Sequence, residues 1–452
     1  MKISKTLFIL VALSSFNLLA EPARLIEKKC IAEPVFNGSA CIYQSNTSAE
    51  KTIVLVHGLN GEALRDWQYQ ISNLAEQYHV LTFDLPGFGD SDKDVANYSP
   101  RQYAKFIHFI VEQYAHGNIT LVGHSMGGAI SLRYSEMYPQ TVEKLVLVDV
   151  AGVLHRLAYS RQLMKGWLKS KMSDDSRVVS FADRMANKFL SKVEPVVGPV
   201  SRFMDDYVIK SDLIDVGSST ISAVTLVHED LTDALTSLKM PILIIWGEND
   251  SIAPMRTAKV LKKYLPEAEL KIIKNAAHVP MIDEHVKFNN ILQTFLNENS
   301  AQVKSYPVLT PNVEEAASDI CNNEVGKTYE GYYESLSIIN CSQVLIRNAK
   351  IDELVIRSSS VSIENSDIIS EKTAIDSFKS DLLITASNIK GDVAINSTGS
   401  RLDIAGVTLT GKDYVIKSTG NSSVIFSVSN INSEYEGRDI HEFVKLNNNK
   451  PL

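Results

Sequence analysis

The segment Gly123–Gly128, with the sequence GHSMGG, contains a serine whose surroundings favour nucleophilic chemistry. It follows the apolar run NITLV and precedes a stretch with helical patterning, and a G-x-S-x-G sequence at a strand-to-helix turn forms a nucleophile elbow. Gly123 and Gly127 let the chains pass closely at this strained turn. We therefore predict that Ser125 projects its hydroxyl above a sheet, with a helix N-terminus behind it that favours developing negative charge.

A second and a third residue are needed for this chemistry, because a serine hydroxyl is a weak nucleophile until a base accepts its proton. His278 follows the run ELKII, and Asp250 ends the run ILIIWGEND. Both would lie at carboxyl ends of predicted strands, on the same sheet edge as Ser125. Their chain order of serine, acid and histidine is the order expected for a nucleophile elbow of this kind.

The loop HGLNG (His57–Gly61) is a candidate for binding the oxyanion of a tetrahedral intermediate. Such an oxyanion needs preorganised donors, and we predict the backbone N–H groups of Met126 and Leu59. Glycines such as Gly58 let the loop backbone approach the substrate oxygen.

Three further polar residues lie near these motifs in the sequence. His57 and His124 flank the predicted site, and we expect them to orient loops or to line the pocket. Asp84, in DLPGFGDSD, is expected to hold the loop that follows its strand.

Apolar runs alternate with amphipathic stretches between about residues 51 and 296. Runs of this kind without polar alternation suit strands that are buried on both faces, as in a parallel sheet. Arg101–Tyr114 and Ala129–Tyr138 are typical of crossover helices. No strong buried-strand signal occurs from Gly152 to Lys239, so we predict a helical insertion that covers the top of the sheet. The predicted strands lie in Thr52–Gly58, His79–Asp92, Asn118–Ser125, Lys144–Val150, Pro241–Asp250 and Glu269–His278.

The motifs HGLNG, DLPGFGDSD, GHSMGG, WGENDSIAP and NAAHVP, in this order, resemble the α/β-hydrolase superfamily, in its branch of lipases, carboxylesterases and related small-ester hydrolases. The resemblance covers about Lys51–Leu296. It implies an α/β fold with a mostly parallel sheet, helices on both faces and a helical cap at about 152–239. The hydrolase domain would then span residues 21–300.

The resemblance also implies roles and an activity. Ser125 would be the nucleophile, Asp250 the acid and His278 the base of a serine esterase or lipase that forms an acyl-enzyme. Asp149 remains an alternative acid, because some members of the superfamily take the acid from the strand that it ends. The same triad also cleaves amide or C–C bonds, and these activities remain alternatives. Apolar residues between Phe181 and Met204 could line an acyl tunnel or form the core of the cap.

The composition changes after about residue 300, where Ser, Asn, Asp, Ile and Val dominate. Strand-like runs recur there with final apolar residues about 17–22 residues apart, and a second set of runs lies between them. Two short strands per turn of about 20 residues predict an all-β, parallel β-helix-like domain over residues 301–452. A β-sandwich with irregular turns is the alternative. This domain could bind a polymer or a surface and carry the main role, or it could only stabilise or dimerise the protein.

The first residues have the pattern of a secretory signal peptide. Lys2 and Lys5 precede the apolar stretch Leu7–Leu13, and a small residue lies before Glu21. This pattern predicts a signal peptide over residues 1–20 and a secreted or periplasmic protein. The stretch is too short to span a membrane, and no later run offers the roughly 20 apolar residues that a transmembrane helix needs.

The four cysteines suit an oxidising compartment. We predict two local disulfides, Cys30–Cys41 and Cys321–Cys341, with four free thiols as the alternative. The net charge of −8 does not favour binding to nucleic acid or to an anionic membrane. No metal or organic cofactor is implied, and the expected partner is a small-molecule or lipid ester.

Overall fold

The structure, a computed structural model, contains two β-sheets of eight and sixteen strands. We refer to the part of the chain within residues 26–298 as the α/β body and to the part within residues 317–446 as the solenoid. The predicted signal peptide and residues 155–217 of the predicted cap lie outside the described residues. The structure describes residues 26–94, 97–154, 218–298, 317–437, 440–441 and 444–446.

Eight strands form the sheet of the α/β body. They are β1 (Glu27–Glu33), β2 (Gly38–Ser45), β3 (Thr52–Val56), β4 (His79–Phe83), β5 (Ile119–His124), β6 (Val142–Val148), β7 (Ile242–Gly247) and β8 (Glu269–Ile273). Their order is β1-β2-β4-β3-β5-β6-β7-β8, in which β3 to β8 are parallel. β1 and β2 extend one edge in antiparallel fashion. Every residue of β3, β4, β5 and β7 is buried, as expected for unalternating apolar runs.

Helices cover both faces of this sheet. They are α1 (Ala63–Asp66), α2 (Gln68–Leu74), α3 (Pro100–Tyr114), α4 (Met126–Met137), α5 (Ser218–Val227), α6 (Thr232–Ser237), α7 (Met255–Tyr264), α8 (Pro280–Asp283) and α9 (His285–Asn297), with a 3₁₀ turn at Pro139–Thr141. Alternate residues of β3 enter two apolar clusters. Val54 and Val56 contact the cluster that contains α3 and α4, and Ile53 and Leu55 contact the one that contains α2 and α9. The predicted α/β fold is therefore confirmed. No helix within the described residues is long and apolar enough to cross a bilayer.

The solenoid consists of parallel strands alone. They are β9 (Ala317–Asn322), β10 (Thr328–Ile339), β11 (Val344–Ile351), β12 (Leu354–Arg357), β13 (Ser360–Glu364), β14 (Asp367–Ile369), β15 (Thr373–Phe378), β16 (Asp381–Thr385), β17 (Asn388–Thr398), β18 (Arg401–Ala405), β19 (Thr408–Thr419), β20 (Ser423–Ser427), β21 (Ser429–Ile431), β22 (Tyr435–Glu436), β23 (Ile440–His441) and β24 (Val444–Leu446). A sandwich needs antiparallel pairing across its hairpins, so the alternative of a β-sandwich is wrong.

The number of strands per coil differs from the prediction. β13 pairs with β16, β14 pairs with the first part of β17, and β15 pairs with its second part. Each coil therefore contributes strands to three stacks of parallel strands, rather than two. Runs that were predicted as single strands bend at a residue with positive φ and continue in the next stack. These corner residues are Asn365, Ala386, Gly406 and Val428.

Ladders of identical or similar side chains hold the coils together. Ile363, Ile384 and Ile404 occupy equivalent positions in successive coils, and all three are fully buried. Such stacking gives each coil a hydrophobic contact that it could not form alone. At another corner the hydroxyl of Ser380 accepts from the N–H of Ser359, and that of Ser400 accepts from the N–H of Ser380. Buried serines thus satisfy backbone N–H groups, which explains the serine-rich composition.

Both predicted disulfides are formed, so the alternative of four free thiols is wrong. Cys30 and Cys41 join paired positions of β1 and β2. Cys321, in β9, joins Cys341, which follows β10.

Candidate active site

Ser125 lies in a tight turn between β5 and α4. Its φ of 53° and ψ of −116° are strained for a residue with a side chain. The turn requires glycine on both sides, because a Cβ on Gly123 would lie 2.3 Å from the carbonyl oxygen of Gly127. A Cβ on Gly127 would lie 2.4 Å from the carbonyl oxygen of Val56. The structure therefore places Ser125 in the elbow that the motif predicted.

The side chains of His278 and Asp250 form a hydrogen-bonded chain with Ser125. His278 Nε2 lies 2.9 Å from Ser125 Oγ, and His278 Nδ1 lies 2.8 Å from Asp250 Oδ2. The second carboxylate oxygen accepts from the N–H groups of Ile252 and Ala253 at 2.8 and 2.9 Å. A carboxylate can only accept, so the proton of a neutral His278 resides on Nδ1 and leaves Nε2 free to accept from the serine hydroxyl.

Asp149, the alternative acid, directly follows β6, and its hydrogen bond is not to His278. One oxygen accepts from the N–H of Gly247 at 2.9 Å, and the other is buried with no hydrogen-bond partner among the described residues. Burial, and then the negative charge of Asp250, raise the pKa of Asp149 well above its usual value. The raised pKa favours the protonated form of Asp149, and it is Asp250 that lies within hydrogen-bond distance of His278.

The HGLNG loop passes directly against the serine. A Cβ on Gly58 would lie 2.9 Å from His124 Nδ1 and 3.1 Å from the Cβ of Ser125. Met126 is the first residue of α4, so its N–H has no partner within the helix. The loop that contains Leu59 therefore lies against Ser125, and the N–H groups of Leu59 and Met126 stay the predicted oxyanion donors.

Two buried histidines hold the backbone around the site. His124 Nε2 donates to the carbonyl oxygen of His278 at 2.6 Å. His57 Nδ1 donates to the carbonyl oxygen of Gly58 at 2.7 Å, and its Nε2 accepts from the N–H of Leu85 at 2.9 Å. Burial lowers the pKa of His124 to about 3 and also lowers that of His57, so both rings are neutral at neutral pH. They orient the loops of the base and of the candidate oxyanion hole.

Comparison with known proteins shows which family the α/β body resembles. The sequence matches the model of the alpha/beta hydrolase fold family over residues 51–195 and 213–285. It is 30% identical over 254 residues to the uncharacterized hydrolase YugF of Bacillus subtilis, which covers 52% of this chain and 88% of YugF.

The chain belongs to the α/β-hydrolase family. Its relatives include Lipase 1 of Psychrobacter immobilis, which is 28% identical over 272 residues (57% of this chain and 83% of the lipase). Lipase 3 of a Moraxella species is 26% identical over 253 residues (55% of this chain and 78% of the lipase). The family match ends before the solenoid, so it does not explain the C-terminal third of this α/β-hydrolase.

An arginine that sequence reasoning missed fastens the segment between α5 and α6 to α4. Arg133, on α4, is buried and pairs with Glu136 and Glu229. It also donates to the carbonyl oxygen of Asp230, in the segment between α5 and α6. A single arginine in an otherwise ordinary helix gives no signal in the sequence. The network anchors the returning chain to the helix that begins at the elbow.

Asp84 holds the neighbouring loop of the α/β-hydrolase, as expected. Its carboxylate accepts from the N–H groups of Ala63 and Asp90 and from the hydroxyl of Tyr43, at 2.8, 2.9 and 2.9 Å. The described residues contain no cluster of His, Cys, Asp and Glu side chains that could hold a metal ion.

We expect acid to destabilise this α/β-hydrolase through its buried histidines. Burial and the adjacent His116 lower the pKa of His79 to about 4, whereas the unfolded chain takes up this proton near pH 6.5. Between these values the unfolded state binds more protons, so the free energy of unfolding falls as the pH drops. Each such histidine contributes about 1.4 kcal/mol per pH unit. Urea unfolding at pH 7, 6 and 5 measures this slope.

The variant His79→Asn removes the contribution of one histidine to the pH dependence of the free energy of unfolding. Trp67 and Trp246 are buried in the α/β body and no tryptophan follows residue 250, so fluorescence follows the unfolding of this body rather than of the solenoid. Between pH 6 and pH 5 we expect the variant to lose about 1.4 kcal/mol less than the wild type. Equal slopes would contradict the assignment of His79 as a neutral buried group.

Proposed function

We propose that this protein is a serine hydrolase that cleaves carboxylic esters, with Ser125 as nucleophile, His278 as base and Asp250 as acid. The observation that carries the proposal is the hydrogen-bonded chain of 2.9 and 2.8 Å through these three side chains. The lipases among its relatives support an ester as the substrate.

The reaction begins when Ser125 Oγ attacks the ester carbonyl carbon and His278 Nε2 accepts the hydroxyl proton. The carbonyl oxygen becomes an oxyanion, which the N–H groups of Leu59 and Met126 stabilise. As the tetrahedral intermediate collapses, the C–O bond breaks and His278 gives its proton to the leaving alcohol. A water molecule then attacks the acyl-enzyme with His278 again as base, which releases the acid and restores Ser125.

Asp250 stabilises the imidazolium that forms twice in this cycle. Its side chain is fully shielded from solvent, and three donors hold its two oxygens. A buried carboxylate interacts more strongly with the imidazolium than an exposed one, because little water screens the pair. The fixed carboxylate also keeps the His278 ring in the orientation that the serine needs.

We also propose that the protein acts outside the cytoplasm, in the periplasm or the medium. The signal pattern over residues 1–20 and the two disulfides support this location. The mature protein would then comprise a hydrolase domain over residues 21–300, with its cap at about 152–239, and the solenoid domain over residues 301–452.

A series of p-nitrophenyl esters tests the proposed activity. We expect the folded protein to hydrolyse p-nitrophenyl butyrate at a rate proportional to enzyme concentration, and to hydrolyse the matched p-nitroanilide much more slowly. Acyl chains from acetate to palmitate then define the class. A maximum at long chains would indicate a lipase, and activity confined to acetate and butyrate would indicate a short-chain esterase. A folded protein that hydrolyses none of these esters would contradict the proposal.

A further inference from the structure

The solenoid packs against a helix of the α/β body that lies next to the active site. Helix α7 contributes Val260 and Leu261, both fully buried, to an apolar cluster. The same cluster contains Ala405, Ile425 and Val428 of the solenoid. The two parts of the chain therefore share one hydrophobic core at α7, which a flexibly tethered module would not do.

Arg256, the second residue of α7, is the polar centre of this contact. Its Nε donates to Thr385 Oγ1 at 2.9 Å, and its guanidinium also donates to the carbonyl oxygens of Ile384 and Asp403 at 3.2 and 3.0 Å. The side chain forms an ion pair with the carboxylate of Asp403 at 2.9 Å, and the two side chains are only 6% and 12% exposed. A buried guanidinium needs such a set of partners, and every one of these partners belongs to the solenoid.

The rest of α7 continues this contact along the helix. Lys259 pairs with Glu364 at 2.5 Å, and Lys263 donates to Asn388 Oδ1 at 2.9 Å. Gly406, at a solenoid corner with φ +64°, comes so close to α7 that an added Cβ would lie 3.2 Å from the side chain of Val260. The glycine serves both the corner and the close approach.

The start of α7 also determines the position of the acid. The loop of residues 248–254 joins β7 to α7, and its N–H groups at Ile252 and Ala253 hold Asp250 Oδ1. The carbonyl oxygen of Ala253 accepts from the indole N–H of Trp246 at 2.9 Å. Only Pro254 and Met255 separate Ala253 from Arg256. A displacement of α7 would therefore move the donors that fix the carboxylate.

We propose that Arg256 is a positioning residue: by fastening α7 to the solenoid it holds the loop of Asp250, so that the solenoid is a fixed support of the active site. This inference rests on the proposed function of the Ser125–His278–Asp250 chain. It gives the solenoid a role in the reaction that does not depend on a polymer or a surface as ligand.

Kinetics of Arg256→Gln in the full-length protein test this inference. Misplacement of a reacting group by about 1 Å lowers rates by up to about 10²-fold, so we expect kcat for p-nitrophenyl butyrate to fall by roughly 10- to 100-fold. KM should change by less than about 3-fold, because Arg256 does not reach the substrate site and the change acts on the transition state. Arg256→Lys keeps a buried cation beside Asp403 and should recover part of the lost kcat.

Two control variants separate positioning from a general loss of stability. Lys144, in β6, is buried and donates to the carbonyl oxygens of Phe295, Leu296 and Glu298 at the end of α9. It lies near the start of β6, at the edge of the sheet opposite Asp149, so Lys144→Met should lower the unfolding temperature without lowering kcat. Arg401→Gln removes a solenoid arginine that pairs with Asp381 outside the α7 contact, and it should leave kcat unchanged.

The rate of labelling by a fluorophosphonate distinguishes the possible outcomes. A labelled wild type with a slowly labelled, folded Arg256→Gln supports the inference. A folded Arg256→Gln that reacts at the wild-type rate overturns it and leaves the proposed function intact. Lys144→Met that loses as much kcat as Arg256→Gln also overturns it, because the loss would then follow stability alone. A folded wild type that is not labelled overturns the proposed function together with this inference.

Discussion

Ser125→Ala is expected to reduce kcat for p-nitrophenyl butyrate by about 10⁶-fold, which is the loss measured when the serine of a comparable triad is removed. Alanine removes the oxygen that attacks the ester, and neither His278 nor a water molecule in the elbow replaces it efficiently. The residual rate would come from the oxyanion donors and substrate binding alone. Initial rates at saturating ester measure the change. The protein concentration is taken from the absorbance, and the unfolding temperature shows that the variant is folded.

Ser131→Ala is the matched control for this variant. Ser131 lies on the same helix, is buried, and donates to the carbonyl oxygen of Gly127 at 2.7 Å. Its loss removes a serine close to the elbow without touching the hydrogen-bonded chain, so kcat should stay within a few-fold of the wild type. A Ser125→Ala protein that keeps more than about a hundredth of the activity would contradict the assignment, since triad removal elsewhere leaves far less.

The second large effect is the difference in kcat between the variants Asp250→Asn and Asp149→Asn. Asp250→Asn should lower kcat by about 10⁴-fold, because an amide preserves the shape but no longer fixes the tautomer or stabilises the imidazolium. Asp149→Asn should stay within about 5-fold, because Asp149 Oδ1 accepts from the N–H of Gly247 while His278 bonds to Asp250, and because its raised pKa favours the uncharged form that asparagine resembles. The asparagine oxygen can still accept from the N–H of Gly247, and its amide group can donate towards Asp250.

Both variants replace a carboxyl group by an amide of almost the same size, after the neighbouring strands β6 and β7, so each is the control for the other. Both are assayed at pH 7 with p-nitrophenyl butyrate, and their unfolding temperatures are compared. A large loss in Asp149→Asn with an active Asp250→Asn would show that the acid is on β6, and it would overturn the role of Asp250.

The elbow could be predicted because its constraints are local. A buried strand, two glycines and a helix follow one another within a few residues, and the contacts that exclude a Cβ at Gly123 and Gly127 come from the elbow itself and from β3 beside it. The choice between Asp149 and Asp250 could not be made in the same way. Both residues follow a strand of the same sheet, and only the folded structure gives the distance of 2.8 Å between Asp250 Oδ2 and His278 Nδ1 that favours Asp250.

The solenoid was predicted as a class but not in its cross-section. Its repeat is visible in the spacing of the apolar residues. Its corners, however, depend on backbone conformations that the residue types do not predict. Asn365 and Gly406 favour positive φ, but Ala386 and Val428 adopt it as well, with φ of 51° and 41°. The ladders on either side impose these conformations, so the predicted strands bend where the sequence shows no turn residue.

The contact between the solenoid and α7 could not be predicted from the sequence. Arg256 lies in an amphipathic segment whose lysines and arginine are typical of an exposed helix face, and its partners Thr385 and Asp403 are more than a hundred residues away. Charged residues are mostly exposed, so the default expectation for a lone arginine is the surface. A buried pairing of this kind can be recognised only when both parts of the chain are in place.

The site of fluorophosphonate attachment tests the central claim most directly. The folded wild-type protein is treated with the probe, digested, and its peptides are mapped by mass spectrometry. We predict a single adduct per chain, on Ser125, because among the hydroxyl groups that the structure describes it is Ser125 Oγ that has His278 Nε2 at 2.9 Å and the HGLNG loop against it. An adduct on another residue, or a folded protein without any adduct, would contradict the claim that Ser125 is the nucleophile.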